Sequence, residues 1–330
     1  MHPIRAASTR IKELLGAVLV AFAVFWPAQA QVNKSGAGGL APPSNGSFLV
    51  PIIQKRGLDK KYGLDFDINL YSDPSTLYSD FAAGRTTHIF GAVYNAANFY
   101  VRGLDVRLLF TVSTANHAFV SKNPAVKTPQ DMKGKTVAAT TSSGFYGMAL
   151  LYLRENGLDP RQNLNVINAP PTAVETMLLA DRAEIGLLAD PALSNMLSKG
   201  FHLVGTMNAE IRKAVKLRDD APIWYIGGYA HRSWIEQNPD RAARTMQMWQ
   251  DAAAFYNEHP DEADQIVSEF TKIPVEALKL SRRLDLTSFR VEPAIGQKEN
   301  LKAVFAGFKE VGFLEKLPDD GLYYDWGAKK

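Results

Sequence analysis

The spacing of apolar positions divides the chain into three stretches. In the first, short apolar runs alternate with amphipathic runs of helical length that end at glycine. Residues 48–56 predict a helix capped by Ser47 and stopped by Gly57, and residues 64–70 alternate as a strand. Asp73-Pro74-Ser75 opens a helix that closes at Gly84; 87–91 reads as a short strand, 95–102 as a helix stopped by Gly103, and 106–112 as an apolar strand. Glycine just beyond a helix readily takes the left-handed conformation that ends it. Strands alternating with such helices predict βαβ units and a largely parallel sheet.

The rhythm then repeats. Strands are predicted at 136–139, 164–167, 184–188 and 201–204, with helices at 145–156, 173–180 and 191–199; Gly157 and Gly200 act as stops. At an offset of 97, Arg85 matches Arg182, 87–91 matches 184–188, and Gly103 matches Gly200. This predicts two copies of one α/β unit, with both arginines at strand starts as structural residues. After an aromatic strand at 223–229 the texture becomes helical, at 233–259, 261–271, 275–284 and 298–311, with almost no strand. A helical tail of that length needs a surface to pack on, and the first α/β unit supplies one. The chain then crosses between units twice, predicting hinges near 117–121 and 223–231. Ligands in such folds bind outside the carboxyl ends of the strands.

Composition alters this picture at the N-terminus. The 330 residues carry a formal net charge of +3, and part of it precedes an apolar run at 14–26. Arg5, Arg10 and Lys12, the apolar run and then Pro27-Ala28-Gln29-Ala30 form the pattern of a secretory signal peptide, with cleavage expected after Ala30. The run is shorter than the roughly 20 residues a membrane span needs. Removing that segment lowers the net charge to +1, so no polyanion, and no nucleic acid, is expected as a partner. The chain contains no cysteine, which excludes disulfides, thiolate metal sites and cysteine nucleophiles.

No phosphate-binding loop, Gly-x-Ser-x-Gly elbow or His-Glu-x-x-His motif is present. The six histidines form no ligand-spaced pair, so neither a metal nor any other cofactor is expected. His88 and His202 lie within predicted strands and read as structural; His117, at a predicted crossover, is a candidate pocket residue. The stretch 139–147 (ATTSSGFYG) sets Thr141, Ser142 and Ser143 at a helix N-terminus, where hydroxyls and free N–H groups can hold an anion. Plain capping by Ser142 or Ser143 is the competing reading. Phe145 and Tyr146 are candidates to wall off a ligand. Further candidates at strand ends are Asn45 and Phe48 in the loop 43–48, Tyr94 and Asn95 in 92–95, Thr172 in 168–172, and Tyr229 on the return strand. Asp190, before Pro191, either caps its helix or meets an amine or hydroxyl of a ligand.

Three stretches carry a family resemblance: 54–65 (QKRGLDKKYGLD), 82–89 (AAGRTTHI) and 128–138 (TPQDMKGKTVA). In that order they resemble the solute-binding proteins of bacterial ABC importers, in the nitrate/sulfonate/taurine and NMT1/THI5-like group. The likeness runs from about residue 32 to the C-terminus. Ala189-Asp190-Pro191 stands where the family often has Trp-Glu-Pro, so an aromatic wall is missing. The resemblance implies the type II periplasmic binding fold, with two doubly wound α/β lobes joined by two crossover segments. Residues 31–116 with 224–330 form the first lobe, which carries the extra C-terminal helices, and 117–223 form the second. It also implies a monomeric, periplasmic carrier without enzymatic activity, which delivers a small-molecule solute to an ABC permease in the inner membrane. The expected solute is a sulfonate, carboxylate or pyrimidine-like molecule. Arginine is scarce in the predicted cleft loops, which favours a mono-anionic or neutral solute with an aromatic or amine part. The alternatives are a ligand sensor for a signalling receptor and an enzyme on the same fold. The cysteine-dependent desulfinases and thiamine-pyrimidine synthases of this fold are excluded by the absence of cysteine.

Overall fold

The computed structural model describes residues 36–327, apart from Pro43, Phe66, Asn116 and Thr206. The expected export segment and its cleavage site lie outside the described residues. Eleven strands follow one another along the chain: β1 (Ala37–Leu40), β2 (Ile68–Tyr71), β3 (His88–Ala92), β4 (Val106–Thr114), β5 (His117–Ser121), β6 (Thr136–Ala139), β7 (Asn165–Asn168), β8 (Ile185–Ala189), β9 (His202–Leu203), β10 (Trp224–His231) and β11 (Phe289–Pro293). They form a six-stranded sheet of order β11-β4-β10-β3-β1-β2 and a five-stranded sheet of order β7-β6-β8-β5-β9.

The two sheets share one topology. In the first, β1 lies parallel between β2 and β3, and β10 runs antiparallel between β3 and β4. In the second, β6 lies parallel between β7 and β8, and β5 runs antiparallel between β8 and β9. Strand β8 begins and ends 97 residues after β3, the offset at which the sequence repeats. Gly103 and Gly200 close the corresponding helices at φ +92° and +87°, a region that costs a side-chain-bearing residue energy.

The predicted hinges need correction. Residues 117–121 and 224–231 are β5 and β10, each hydrogen-bonded to a strand on both sides. Their apolar runs satisfy backbone groups in a ladder, so neither is free to bend. The links between sheets lie just before them. They run side by side, with Ala115 donating its N–H to the Ile223 carbonyl at 2.7 Å.

Strand β1 is glycine-rich and packs closely on its neighbours. A Cβ on Gly38 would stand 2.9 Å from Leu77 Cδ1 and 3.1 Å from Ile89 Cγ2, so a side chain there would force those neighbours to shift. The predicted helix 233–259 is two helices, Arg232–Gln237 and Pro239–Glu258. Pro239 has no N–H to continue the first and opens the second. The helix Met207–Ala214 and strand β11 were missed.

One continuous apolar core fills the first sheet and extends through Met148, Leu151 and Tyr152 to Val137 and Ile185 in the second. A smaller core, around Val120, Val174, Leu188 and Met196, covers part of the second sheet. The helix Pro239–Glu258 packs on Leu49–Lys55 and on β11. The last helices reach further: Val275–Arg283 packs against Ala192–Ser198, and Lys298–Glu310 against Gly144–Glu155. Among the described residues no helix is long and apolar enough to cross a membrane.

Candidate functional site

A cavity of about 160 Å³ opens where the carboxyl ends of the parallel strands of both sheets converge. Beyond β1 it is lined by Ala41, Pro42, Ser44 and Asn45, and beyond β2 by Ser72 and Pro74. From the other sheet come Thr140, Ser143 and Phe145 after β6, Pro170, Pro171 and Thr172 after β7, and Asp190 and Ala192 after β8. Leu40, Tyr71, Leu187, Leu188, Ala189 and Tyr225 complete the wall.

Five of the thirteen sequence candidates line this cavity: Asn45, Ser143, Phe145, Thr172 and Asp190. Asn45 is 2% exposed, and its Nδ2 has no hydrogen-bond partner. Phe145 stacks on Tyr225, with ring centroids 3.8 Å apart and planes 20° apart. Thr172 is exposed at the rim.

Ser143 is occupied as a cap. Its Oγ accepts from the Tyr146 N–H at 3.3 Å and donates to the Thr140 carbonyl at 2.7 Å. Thr140 Oγ1 in turn donates to the Ala169 carbonyl at 2.7 Å. Two of the four hydroxyls in this loop are thus consumed inside the protein. Thr141, whose N–H donates to Asn168 Oδ1, and the exposed Ser142 do not line the cavity.

The other candidates stand back from the cavity. Phe48 is fully buried beside Phe289, with centroids 6.3 Å apart. The Tyr94 hydroxyl donates to the Ser142 carbonyl at 3.1 Å, tying a helix of the first sheet to the loop after β6. Asn95 lies on the same helix, with its Nδ2 buried and unpartnered. Tyr146 is half-buried on the helix Gly144–Glu155. Tyr229 packs edge-on against Phe81 in the core at 5.4 Å. His117 is 3% exposed, lies 4.8 Å from the Phe145 ring, and has both ring nitrogens unpartnered. Burial pulls its pKa down to about 3, so the imidazole is neutral at ordinary pH.

Asp190 does more than cap a helix. Its carboxylate is 1% exposed and accepts from Ser281 Oγ at 2.5 Å, from Thr287 Oγ1 at 2.6 Å and from Ser194 Oγ. Burial raises its pKa, and the three hydroxyl donors pull it back. The carboxylate therefore binds the end of β8 to the segment that follows the helix Val275–Arg283.

Tyr225 is the wall residue that sequence reasoning passed over in favour of Tyr229. Strand direction was the available signal. An antiparallel strand starts where its parallel neighbours end, and Ile226 pairs with Ala92, the last residue of β3. Tyr225 therefore stands at the cleft, whereas Tyr229 pairs with Ile89 near the start of β3. Among the described residues no group of three or more His, Asp or Glu side chains could hold a metal ion.

Two sheets of one topology, linked twice, with a cavity at their facing carboxyl ends, define the fold of the periplasmic solute-binding proteins. Solved structures agree. The periplasmic aliphatic sulphonate-binding protein SsuA from Escherichia coli aligns with TM-score 0.70 at 15% identity, over 88% of this chain and 92% of that one. The alkanesulfonate-binding SsuA from Xanthomonas axonopodis pv. citri, bound to MOPS, aligns with TM-score 0.70 at 17% identity, over 85% and 93%. The periplasmic nitrate-binding protein NrtA from Synechocystis PCC 6803 aligns with TM-score 0.59 at 16% identity, over 73% and 67%. The NMT1/THI5-like family profile matches residues 52–263, and the chain belongs to that family. No curated protein matches the sequence.

Proposed function

We propose that this protein is the extracytoplasmic solute-binding component of an ABC importer. It captures one small organic solute in the cleft between the sheets and hands it to a membrane permease. The observation that carries the reading is the cavity itself, walled by strand ends from both sheets, because a ligand held from two sides stabilises their approach. The lobes that close on it are 31–116 with 224–330, and 117–223. The protein works as an exported monomer, released after Ala30, and catalyses no reaction. Thr141, Ser142, Tyr146 and the other candidates outside the cavity contribute only where closure brings them to the solute. Family membership and the likeness to named sulfonate- and nitrate-binding proteins support this reading.

Native mass spectrometry of freshly purified protein tests it. One small solute per chain, lost on unfolding, is the expected result. Added back at 100 times its dissociation constant, that solute should stabilise the fold by about 2.7 kcal/mol. Protein that carries no solute, and whose melting temperature no small solute raises, would defeat the reading.

A further inference from the structure

We propose that the cleft selects an uncharged, flat organic solute bearing a hydrogen-bond acceptor, and discriminates against anions of the same shape. The proposal rests on the solute-capture reading and narrows its ligand.

The charge inventory comes first. Among the described residues no lysine, arginine or histidine lines the cavity, and its one carboxylate is that of Asp190. The His117 imidazole, 4.8 Å from the Phe145 ring, is held neutral by burial. A buried anion without a counter-charge loses hydration that nothing here returns.

Helix N-termini can hold anions through free N–H groups, and two of those at this wall are already engaged. One begins at Pro74, where the Asp73 carboxylate accepts from the N–H groups of Ser75 and Thr76, both at 3.1 Å, and its negative charge opposes a second anion there. At the start of the helix Gly144–Glu155, Ser143 accepts from the Tyr146 N–H.

What the wall does offer suits a neutral ring. Phe145 and Tyr225 contribute a nearly parallel aromatic pair. The buried, unpartnered Nδ2 of Asn45 is a donor awaiting an acceptor, and leaving it unmade is costly. The cavity volume of about 160 Å³ is close to the roughly 150 Å³ of an apolar cavity that takes up benzene.

Calorimetric titration of the mature full-length chain with benzamide and benzoate, alike in shape but neutral and anionic respectively, tests the assignment. Ethanesulfonate and nitrate serve as further anions. Benzamide should bind at least about tenfold more tightly than benzoate, equivalent to about 1.4 kcal/mol. Equal affinity, or a preference for any of the anions, overturns the uncharged-solute assignment and leaves solute capture standing. T172K places an ammonium at the exposed rim and should shift the ratio of benzoate to benzamide affinity about tenfold toward benzoate. An unchanged ratio overturns the charge argument. If neither ring binds and no solute co-purifies, the capture reading fails as well.

Discussion

Single side chains here are set by burial more than by exposed charge. Most ion pairs are at the surface, such as Lys55–Glu269 and Arg232–Glu236, where each contributes roughly 0–1 kcal/mol. Buried titratable groups matter more. His88, stacked on Trp234 at 4.4 Å, and His117 both have pKa values lowered to about 3 by burial, from 6.5. A base whose folded pKa is depressed contributes stability that is complete above pH 6.5 and is lost as pH falls toward 3, because the unfolded chain binds the proton first. Acid unfolding should therefore take up protons on these two imidazoles. His117→Phe keeps the ring beside Phe145 and removes the two unpartnered nitrogens. It should flatten the stability–pH curve between pH 6.5 and 3, as followed by urea denaturation at a series of pH values. A curve parallel to wild type would show that His117 is not among the groups that titrate.

Between elements, the decisive contact is the Asp190 carboxylate. It gathers hydroxyls from three places: Ser194 on the helix after β8, Ser281 on Val275–Arg283, and Thr287 beyond it. Removing the acceptor leaves buried donors unpaired, each costing roughly 1–3 kcal/mol. Asp190→Ala should lower stability by about 3 kcal/mol, seen as a lower urea midpoint with an unchanged slope. Asp190→Asn, which keeps one oxygen acceptor, should lose less. Equal midpoints for wild type and Asp190→Ala would remove this clamp from the description. The Asp-Pro pair was visible in the sequence as a departure from the family pattern. The partners Ser281 and Thr287 were not, because they lie 91 and 97 residues downstream and hydroxyl residues carry no mark of the carboxylate they will meet.

At the scale of the whole molecule, the C-terminal helices touch elements of both sheets, and one core is continuous between them. Two sheets joined this way should unfold together. Among the described residues, tryptophans provide a probe on one side only. Trp224 lies in β10, Trp249 packs at a tilt on Phe90, Trp234 stacks on His88, and Trp326 donates its Nε1–H to the Leu109 carbonyl. All four report the first sheet, whereas far-ultraviolet circular dichroism reports both. The two signals should give coincident thermal transitions. A dichroism change preceding the tryptophan transition would mean that the second sheet melts alone.

The order of helices and strands, the repeat at an offset of 97, and the family were legible in the sequence, because periodicity, caps and stop glycines are local signals. Missed were β11 and the helix Met207–Ala214; the links between the sheets lie just before the predicted hinges, and eight of the thirteen candidate site residues stand back from the cavity. The cavity wall depends on which end of each strand meets the other sheet, and that is a property of strand direction and pairing. Tyr225 and Tyr229 have the same chemistry and the same strand; only the antiparallel register of β10 against β3 sets one at the cleft and the other in the core. Likewise, the hydroxyl-rich loop at 140–143 offered anion chemistry by composition, and folding spent Thr140 and Ser143 on its own backbone. The sequence by itself determined the fold, since short-range patterns suffice to specify alternating elements. The tertiary structure alone decided which side chains remain unpaired beside the cavity, because hydrogen-bond partners are assigned only when distant segments meet.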